Sequence, residues 1–338
     1  MPSKQREIHL ANRPEGLPSK EDFEFVELDM PSPEENQVLV RTLYLSVDPY
    51  MRGRMRDTKS YIAPFPLNKA LIGGAVAEVV ESRSELFKPG DVVTGYMKWA
   101  EYSVVKGEKI RKVDTSIAAV TAYLGILGMT GLTAYFGLLD IGKPQAGETV
   151  VVSGAAGAVG SAVGQIAKIK GTKVVGIAGS DEKIDFLINE LGFDHAVNYK
   201  KDSFQDNLKA ALPDGVDVYF DNVGGEVSDA VINLLNKNAR IPLCGAISSY
   251  NKEEDIGPRI QPALIKTSSL IQGYTVGNYA AEFEKGSADM AKWLQEGKLK
   301  FEETIVEGFD NTPDAFIGLF EGANIGKMLV KVADPEFY

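Results

Sequence analysis

The run Glu148–Gly171, ETVVVSGAAGAVGSAVGQIAKIKG, puts an apolar strand, a glycine-rich turn and a helix in immediate succession. Ala155, Gly157 and Gly160 fill the three positions of a dinucleotide-binding fingerprint, with alanine in the first. Gly157 lets the backbone approach a pyrophosphate, and Gly160 lets the helix pack closely on the strand. Ala158 and Val159 open a helix whose first amides are unpaired and whose dipole is positive toward a phosphate. A glycine triplet alone is weak evidence. Here a strand precedes it, a helix follows, and further strand and helix units come behind, which is the context that makes it a phosphate loop.

The tip of the next strand discriminates between the nicotinamide cofactors. In KVVGIAGSDEK that tip lies about 19 residues beyond Gly160, where an NAD site presents an acid to the ribose hydroxyls. This chain presents Gly179 and Ser180. Asp181 opens the following helix and is expected to be its N-cap. Lys183, one turn in, can reach back toward a 2′-phosphate, and Tyr199, in VNYKK after the third strand, falls at the same rim of a parallel sheet. The absent acid, the Ser180 hydroxyl and the lysine together predict NADP. Ligands of open α/β sheets sit outside the C-terminal ends of the strands, so the loops DNVGG, GAISSYN and GYTVGNY should complete the site. They bring Asn222 beside the nicotinamide ribose, Gly245, Ile247 and Tyr250 over the cofactor, and Tyr274 and Val276 at the end of the sixth strand.

Zinc-dependent dehydrogenases built on such a domain draw their metal site from cysteine and histidine. The whole chain holds one cysteine, Cys244, and two histidines, His9 and His195. A three-ligand site would need all three, yet His9 lies in an N-terminal strand and the others in the cofactor region, so no metal is expected. Without a Lewis acid a saturated carbonyl is a hard target. A conjugated one is softer, because hydride added at its β-carbon leaves an enolate that needs only hydrogen bonds and a proton. Phenols supply both. Tyr50, Tyr61, Tyr250 and Tyr274 lie in segments expected to line a cleft, with Tyr250 and Tyr50 as the candidate catalytic residues.

Two bodies are needed to hold these residues. QVLVRTLYLSVDPY, GGAVAEVVES and DVVTGYMKWAEYSVV are β-branched and aromatic runs between turn signals, which predicts a β-rich domain of about 120 residues. Later the chain alternates between strands near 149–153, 173–178, 195–198, 216–221, 239–247 and 269–276 and helices near 158–170, 182–191, 203–211, 226–236 and 281–296. That alternation calls for a parallel sheet with helices on both faces. The tail begins with strand-like alternation and ends in an apolar strand, so it returns to the first body. Ser116–Leu139 is 24 residues without a charge, long enough to span a bilayer. Four internal glycines and the lack of a flanking basic cluster predict instead two short buried helices meeting at GMTG.

Composition narrows the partners. A formal charge of −11 disfavours nucleic acid and anionic membranes. The single cysteine excludes an internal disulfide framework and fits a reducing compartment. MPSKQREIHLANRPEG has no apolar core of signal-peptide length, so the cytoplasm is the expected location. The sixth strand, SLIQGYTVG, is an apolar edge that invites a second copy, and a homodimer is expected.

With VDPYMRGRM, GMTGLTAYFGLL, VSGAAGAVGSAVGQIAK, GSDEK, FDNVGGE, CGAISSYN and EGANIGKMLVKV in order, the sequence closely resembles the zinc-independent medium-chain dehydrogenase/reductases. Within them it is most similar to the group of prostaglandin and leukotriene reductases, alkenal double-bond reductases and curcumin reductases. The likeness runs nearly end to end. It implies an α/β protein: a Rossmann doubly wound parallel sheet over 126–304 and a GroES-like β-rich catalytic domain from 1–125 and 305–338. It also implies NADPH as hydride donor and small-molecule enals or enones as substrates. By matching position, Lys183 and Tyr199 would hold the 2′-phosphate side, and Asn222 and Asn324 would contact the ribose and pyrophosphate regions. Met129 and Thr133 would lie near the nicotinamide, and Tyr250 would cap the cofactor and organise proton delivery. The loop ISSYNKEEDIGPRIQPALIKTSS is charged where mammalian prostaglandin reductases are proline-rich, which argues against a bulky lipid substrate. Quinone reduction would use the same fold and donor, and a low-turnover NADP-binding redox sensor would share the loop. Enones, quinones and saturated aldehydes tested as oxidants of NADPH separate the three.

Overall fold

The computed structural model describes residues 2–336. They divide into two compact units: one runs to Leu124 and takes in Glu303–Asn324 and the chain from Met328 onward, and the other comprises Gly125–Glu302 with Ile325–Lys327.

In the first unit β1 (Lys4–Leu10) and β2 (Phe23–Asp29) form an antiparallel pair. The strands β3 (Gln37–Ser46), β4 (Ile72–Ser82), β5 (Val92–Lys98), β6 (Tyr102–Lys106) and β7 (Ile110–Lys112) follow, with the single turn α1 (Met51–Arg54) between β3 and β4.

The second unit opens with α2 (Met129–Phe136) and then alternates. Its elements are β8 (Thr149–Ser153), α3 (Ala158–Ile169), β9 (Lys173–Ala178), α4 (Asp181–Asp185), β10 (His195–Asn198), α5 (Phe204–Ala211), β11 (Val216–Phe220), α6 (Gly225–Ile232), β12 (Leu235–Leu243), α7 (Gln261–Thr267), β13 (Leu270–Gly273) and α8 (Phe283–Gln295). All six strands pair in parallel in the order β10-β9-β8-β11-β12-β13. The order reverses between β8 and β11, which is the doubly wound arrangement and places the ligand crevice at the C-terminal ends of those two strands. Val151, Val175, Ile177, Val197 and Tyr219 share a buried cluster with Leu208, Val227 and Val231 from α5 and α6.

The chain then returns through β14 (Glu303–Glu307), α9 (Thr312–Glu321) and β15 (Lys327–Lys331), completing a sheet of order β14-β15-β3-β4-β5-β7. One edge of β3 is shared, with β6 along Gln37–Arg41 and β15 along Tyr44–Ser46. The buried Phe316 of α9 meets Trp99 edge-on at 6.0 Å, and Trp99 stacks on Phe23 at 6.2 Å, so an aromatic cluster ties the returning segment to the start of the chain.

Four expectations need correction. The uncharged segment does not form two helices: Val120–Leu124 is a 3₁₀ turn, and one helix, α2, begins inside GMTG and runs on into a π turn, Gly137–Gly142. Thr130 Oγ1 and the Gly131 amide both donate to the Gly125 carbonyl, closing a loop that a continuous helix would have used for its own ladder. No helix among the described residues is long and apolar enough to cross a membrane. The fifth strand of the parallel sheet begins at Leu235, four residues before the expected start, because Asn238 takes a positive φ of 62° and lets the chain bend while it continues the strand. The helix expected near 182–191 is α4 followed by a π turn, Phe186–Glu190. Its N-cap is Ser180, whose Oγ accepts from the Lys183 amide at 3.3 Å, while the Asp181 carboxylate turns outward to Asn198 and Lys201.

Space between α3 and β9 is provided by glycine. A Cβ on Gly164 would overlap the ring of the buried Phe193, and one on Gly176 would stand 2.8 Å from Leu187 Cδ1. Alanine at position 164 gains helix propensity of about 1 kcal/mol, but overpacking a filled site costs about 1–3 kcal/mol. Because the Cβ would overlap the Phe193 ring deeply, the cost falls toward the upper end of that range, and Gly164→Ala is expected to lower stability by about 1–2 kcal/mol in urea unfolding followed by circular dichroism. A neutral or stabilising result would mean that Phe193 moves freely.

Candidate cofactor and active site

The turn after β8 is bare of side chains where it matters. Gly154 has a positive φ of 59°, the conformation that reverses the chain, and Gly157 is the N-cap of α3. Gly160 lies directly on this turn, since a Cβ there would overlap the Gly154 carbonyl oxygen and approach Ala155 Cα to 2.7 Å. Ala155 is fully buried and its amide donates to the Ile177 carbonyl at 3.0 Å, which ties the turn to β9. The amides of Ala158, Val159 and Gly160 form the first helical turn, where no carbonyl of the same helix can accept them. Gly326 passes alongside and donates its amide to the Ala156 carbonyl at 2.7 Å.

At the tip of β9, Gly179 and Ser180 are half-buried and Lys183 rises from the first turn of α4. A Cβ at Gly179 would lie 3.0 Å from the Tyr199 ring and 3.3 Å from Lys200 Cε, so both side chains converge on the strand tip. Burial pulls the Lys183 ammonium below its usual range, the charge of Lys200 pulls the same way, and Glu182 opposes them. Two cations thus share one spot on a protein of net charge −11. Lys200, the first lysine of VNYKK, has no signal in the sequence beyond its place next to Tyr199, and the pairing of β10 with β9 is what brings it to this spot.

At the ends of β11 and β12 the structure gathers Asn222, Gly245, Ile247 and Tyr250. The Asn222 amide donates to Ser153 Oγ at 2.9 Å and its Nδ2 to the Ser153 carbonyl at 2.8 Å, which joins the loop after β11 to the end of β8. Gly245 donates to the Asp221 carbonyl, Ile247 to that of Asn222, and the Ala246 amide donates to the Tyr250 phenol oxygen at 3.2 Å. Tyr274 Oη donates to the Thr133 carbonyl at 2.8 Å, and Thr133 Oγ1 bonds the Met129 carbonyl, so Met129, Thr133 and Tyr274 stand together. Burial pushes the Tyr274 phenol far above its usual range, with Cys244 adding to the rise. Val276 starts the 3₁₀ turn that follows Tyr274.

Tyr50 and Asn324 belong to the other unit. Tyr50 precedes α1, and its phenol is raised by burial first and by the Asp48 carboxylate second, with Arg54 opposing. Tyr61 is exposed.

The nitrogen and sulfur side chains do not converge. His195 is in β10 and Cys244 follows β12; with β9, β8 and β11 between those strands, the separation is about 19 Å at the usual strand spacing. His9 lies in the first unit and bonds Glu7 at 3.0 Å. Among the described residues no group of three or more histidine, cysteine, aspartate or glutamate side chains is disposed to hold a metal ion.

Comparison with known proteins agrees with this architecture. Residues 6–113 match a family described as the N-terminal domain of oxidoreductase, and residues 158–293 match one described as zinc-binding dehydrogenase. A putative NADP-dependent oxidoreductase of Bacillus subtilis is 64% identical over 99% of this chain and all of its own. The NADPH-dependent curcumin reductase of Escherichia coli is 44% identical over 97% of this chain and 96% of its own. The crystal structure of CurA from Vibrio vulnificus in complex with NADPH superposes with a TM-score of 0.94 at 44% identity, covering 98% of this chain and 100% of that one. The chain belongs to the medium-chain dehydrogenase/reductases, in the group that contains the curcumin reductases and the prostaglandin reductases.

Proposed function

We propose that the protein reduces the carbon–carbon double bond of α,β-unsaturated aldehydes and ketones, with hydride delivered to the β-carbon and no zinc taking part. NADP is its cofactor, and the tip of β9 carries the choice over NAD. Ser180 stands there in place of an acid, with Lys183 and Lys200 beside it. The turn between β8 and α3 suits a pyrophosphate, because Gly154 and Gly157 leave its backbone without side chains, Gly160 seats α3 closely on it, and the first amides of α3 have no acceptor within the helix.

NADPH supplies a hydride when bound. Tyr250 is the residue assigned to the proton, because the Ala246 amide that donates to its oxygen stabilises the phenolate left by proton release. Tyr274 is assigned a positioning part, since its own proton is committed to the Thr133 carbonyl. Tyr50 keeps its proton under burial and the Asp48 charge, so it is assigned hydrogen-bond donation. The zinc-free reading draws on the separation of His195 from Cys244, which leaves the family's usual ligand types unable to share an ion.

Loss of the NADPH absorbance with a panel of enals, enones, quinones and saturated aldehydes tests this reading. Turnover is expected with the conjugated carbonyls, unaffected by EDTA. Activity confined to quinones, or abolished by the chelator, would refute it. Tyr250→Phe is expected to reduce kcat/KM on an enone about ten- to hundredfold, the value of one hydrogen bond to a charged group at about 1.5–3 kcal/mol. An unchanged rate would leave Tyr250 with packing alone. Lys183→Ala is expected to raise KM for NADPH about five- to thirtyfold, or about 1–2 kcal/mol, with little change for NADH. Equal weakening of both cofactors would show that the lysine serves α4 rather than a phosphate.

A further inference from the structure

Asp221, the first residue after β11, is buried, with 2% of its surface exposed. One of its oxygens, Oδ1, accepts four hydrogen bonds, each of 2.9 Å: from Ser153 Oγ at the end of β8, from Tyr219 Oη within β11, and from the amides of Val223 and Gly224 in its own loop. Ser153 and Tyr219 are themselves fully buried. The main chain of Asp221 extends the same junction toward β12, donating to the Pro242 carbonyl at 3.0 Å and accepting from the Cys244 and Gly245 amides at 2.9 and 3.1 Å.

This junction stands where the sheet order reverses, and it joins the three strand ends from which the nicotinamide side of the crevice is built. Its members lead directly to the site. Ser153 Oγ, held by Asp221, accepts the Asn222 amide. The loop after β12, pinned by its Cys244 and Gly245 amides, carries Ala246 and so the Tyr250 phenol. Gly224 and Gly225 turn with φ of 69° and 56°, which brings the loop after β11 against Ser248, whose Oγ donates to the Val223 carbonyl at 2.6 Å. None of these bonds involves Ser180, Lys183, Tyr199 or Lys200 at the tips of β9 and β10.

We propose that Asp221 is a positioning residue for the nicotinamide half of the cofactor, collecting the ends of β8, β11 and β12 so that Asn222 and Tyr250 are presented in one arrangement. Removing the acceptor leaves four donors in the interior competing for new partners. The loops that relax are those of the nicotinamide half, and the adenosine half stays as it is.

The inference rests on the reading of this crevice as an NADPH site, so the experiment uses two ligands: NADPH and 2′,5′-ADP, which carries only the adenosine half. In titration calorimetry Asp221→Ala should bind NADPH at least tenfold more weakly and 2′,5′-ADP within twofold of the wild type. Asp221→Asn, which restores an acceptor oxygen of the same reach, should recover NADPH affinity to within about threefold. Should the alanine variant not fold, Ser153→Ala takes its place. That variant deletes one donor to Asp221 and the acceptor of the Asn222 amide, and should weaken NADPH about threefold or more without affecting 2′,5′-ADP. Equal loss of both ligands, loss of neither, or no rescue by asparagine would overturn the proposal. A wild type that binds 2′,5′-ADP and NADPH equally poorly would overturn the cofactor reading itself.

Discussion

At Gly160 the first turn of α3 rests on the backbone of the turn before it, with no room for a single added carbon: the Gly154 carbonyl oxygen already fills that space. This contact sets where α3 starts and how closely it lies on β8. One helical turn later Gly164 lets the same helix settle on Phe193, and Gly176 makes room for Leu187 and the same ring. The ring and the leucine fill the volume that the glycines leave, as close-packed interiors require. The direction of the α3 amides, the spacing of β8 and β9, and the path of Gly326 beside Ala156 all follow from the same absence of side chains.

The β9 tip and the junction at Asp221 rely on different physics. The tip of β9 holds two lysines at a partly exposed strand end, where like charges face each other and the surrounding protein is acidic. Such a site attracts a compact anion over short range and weakens with salt. The junction at Asp221 is assembled from backbone amides, hydroxyls and one carboxylate removed from water. Its bonds are insensitive to ionic strength and sensitive to geometry, because an interior donor that loses its partner has no solvent to turn to.

Much of this was legible in the sequence where chemistry depends on local order. The six parallel strands follow from short apolar runs separated by helical periodicity, and the phosphate turn follows from a strand, small residues and a helix in that sequence. The misjudged boundaries have local physical causes. Asn238 continues a strand through a left-handed residue, which no apolar pattern signals, and Ser180 rather than Asp181 is the cap because it is the extended residue before the helix, while Asp181 already lies in the first turn. The fingerprint spacing points to position 155, whereas the residue that takes the positive φ of the turn is Gly154, one place earlier. Lys200 and Asp221 acquire meaning only from strands brought together by the fold: β9 beside β10 in one case, β8 beside β11 in the other.

Cys244, the chain's only cysteine, follows β12 with its thiol against the Tyr274 phenol. Burial raises that thiol to about 12, and the Asp221 charge works in the same direction. At neutral pH the protonated thiol is then strongly favoured, and the thiolate is the form that attacks electrophiles. Conjugated carbonyls alkylate thiolates by the same β-carbon that accepts a hydride. If the proposed substrates are the natural ones, the chain's single thiol is held in the form that does not add to them, and self-inactivation is suppressed by the packing around one sulfur.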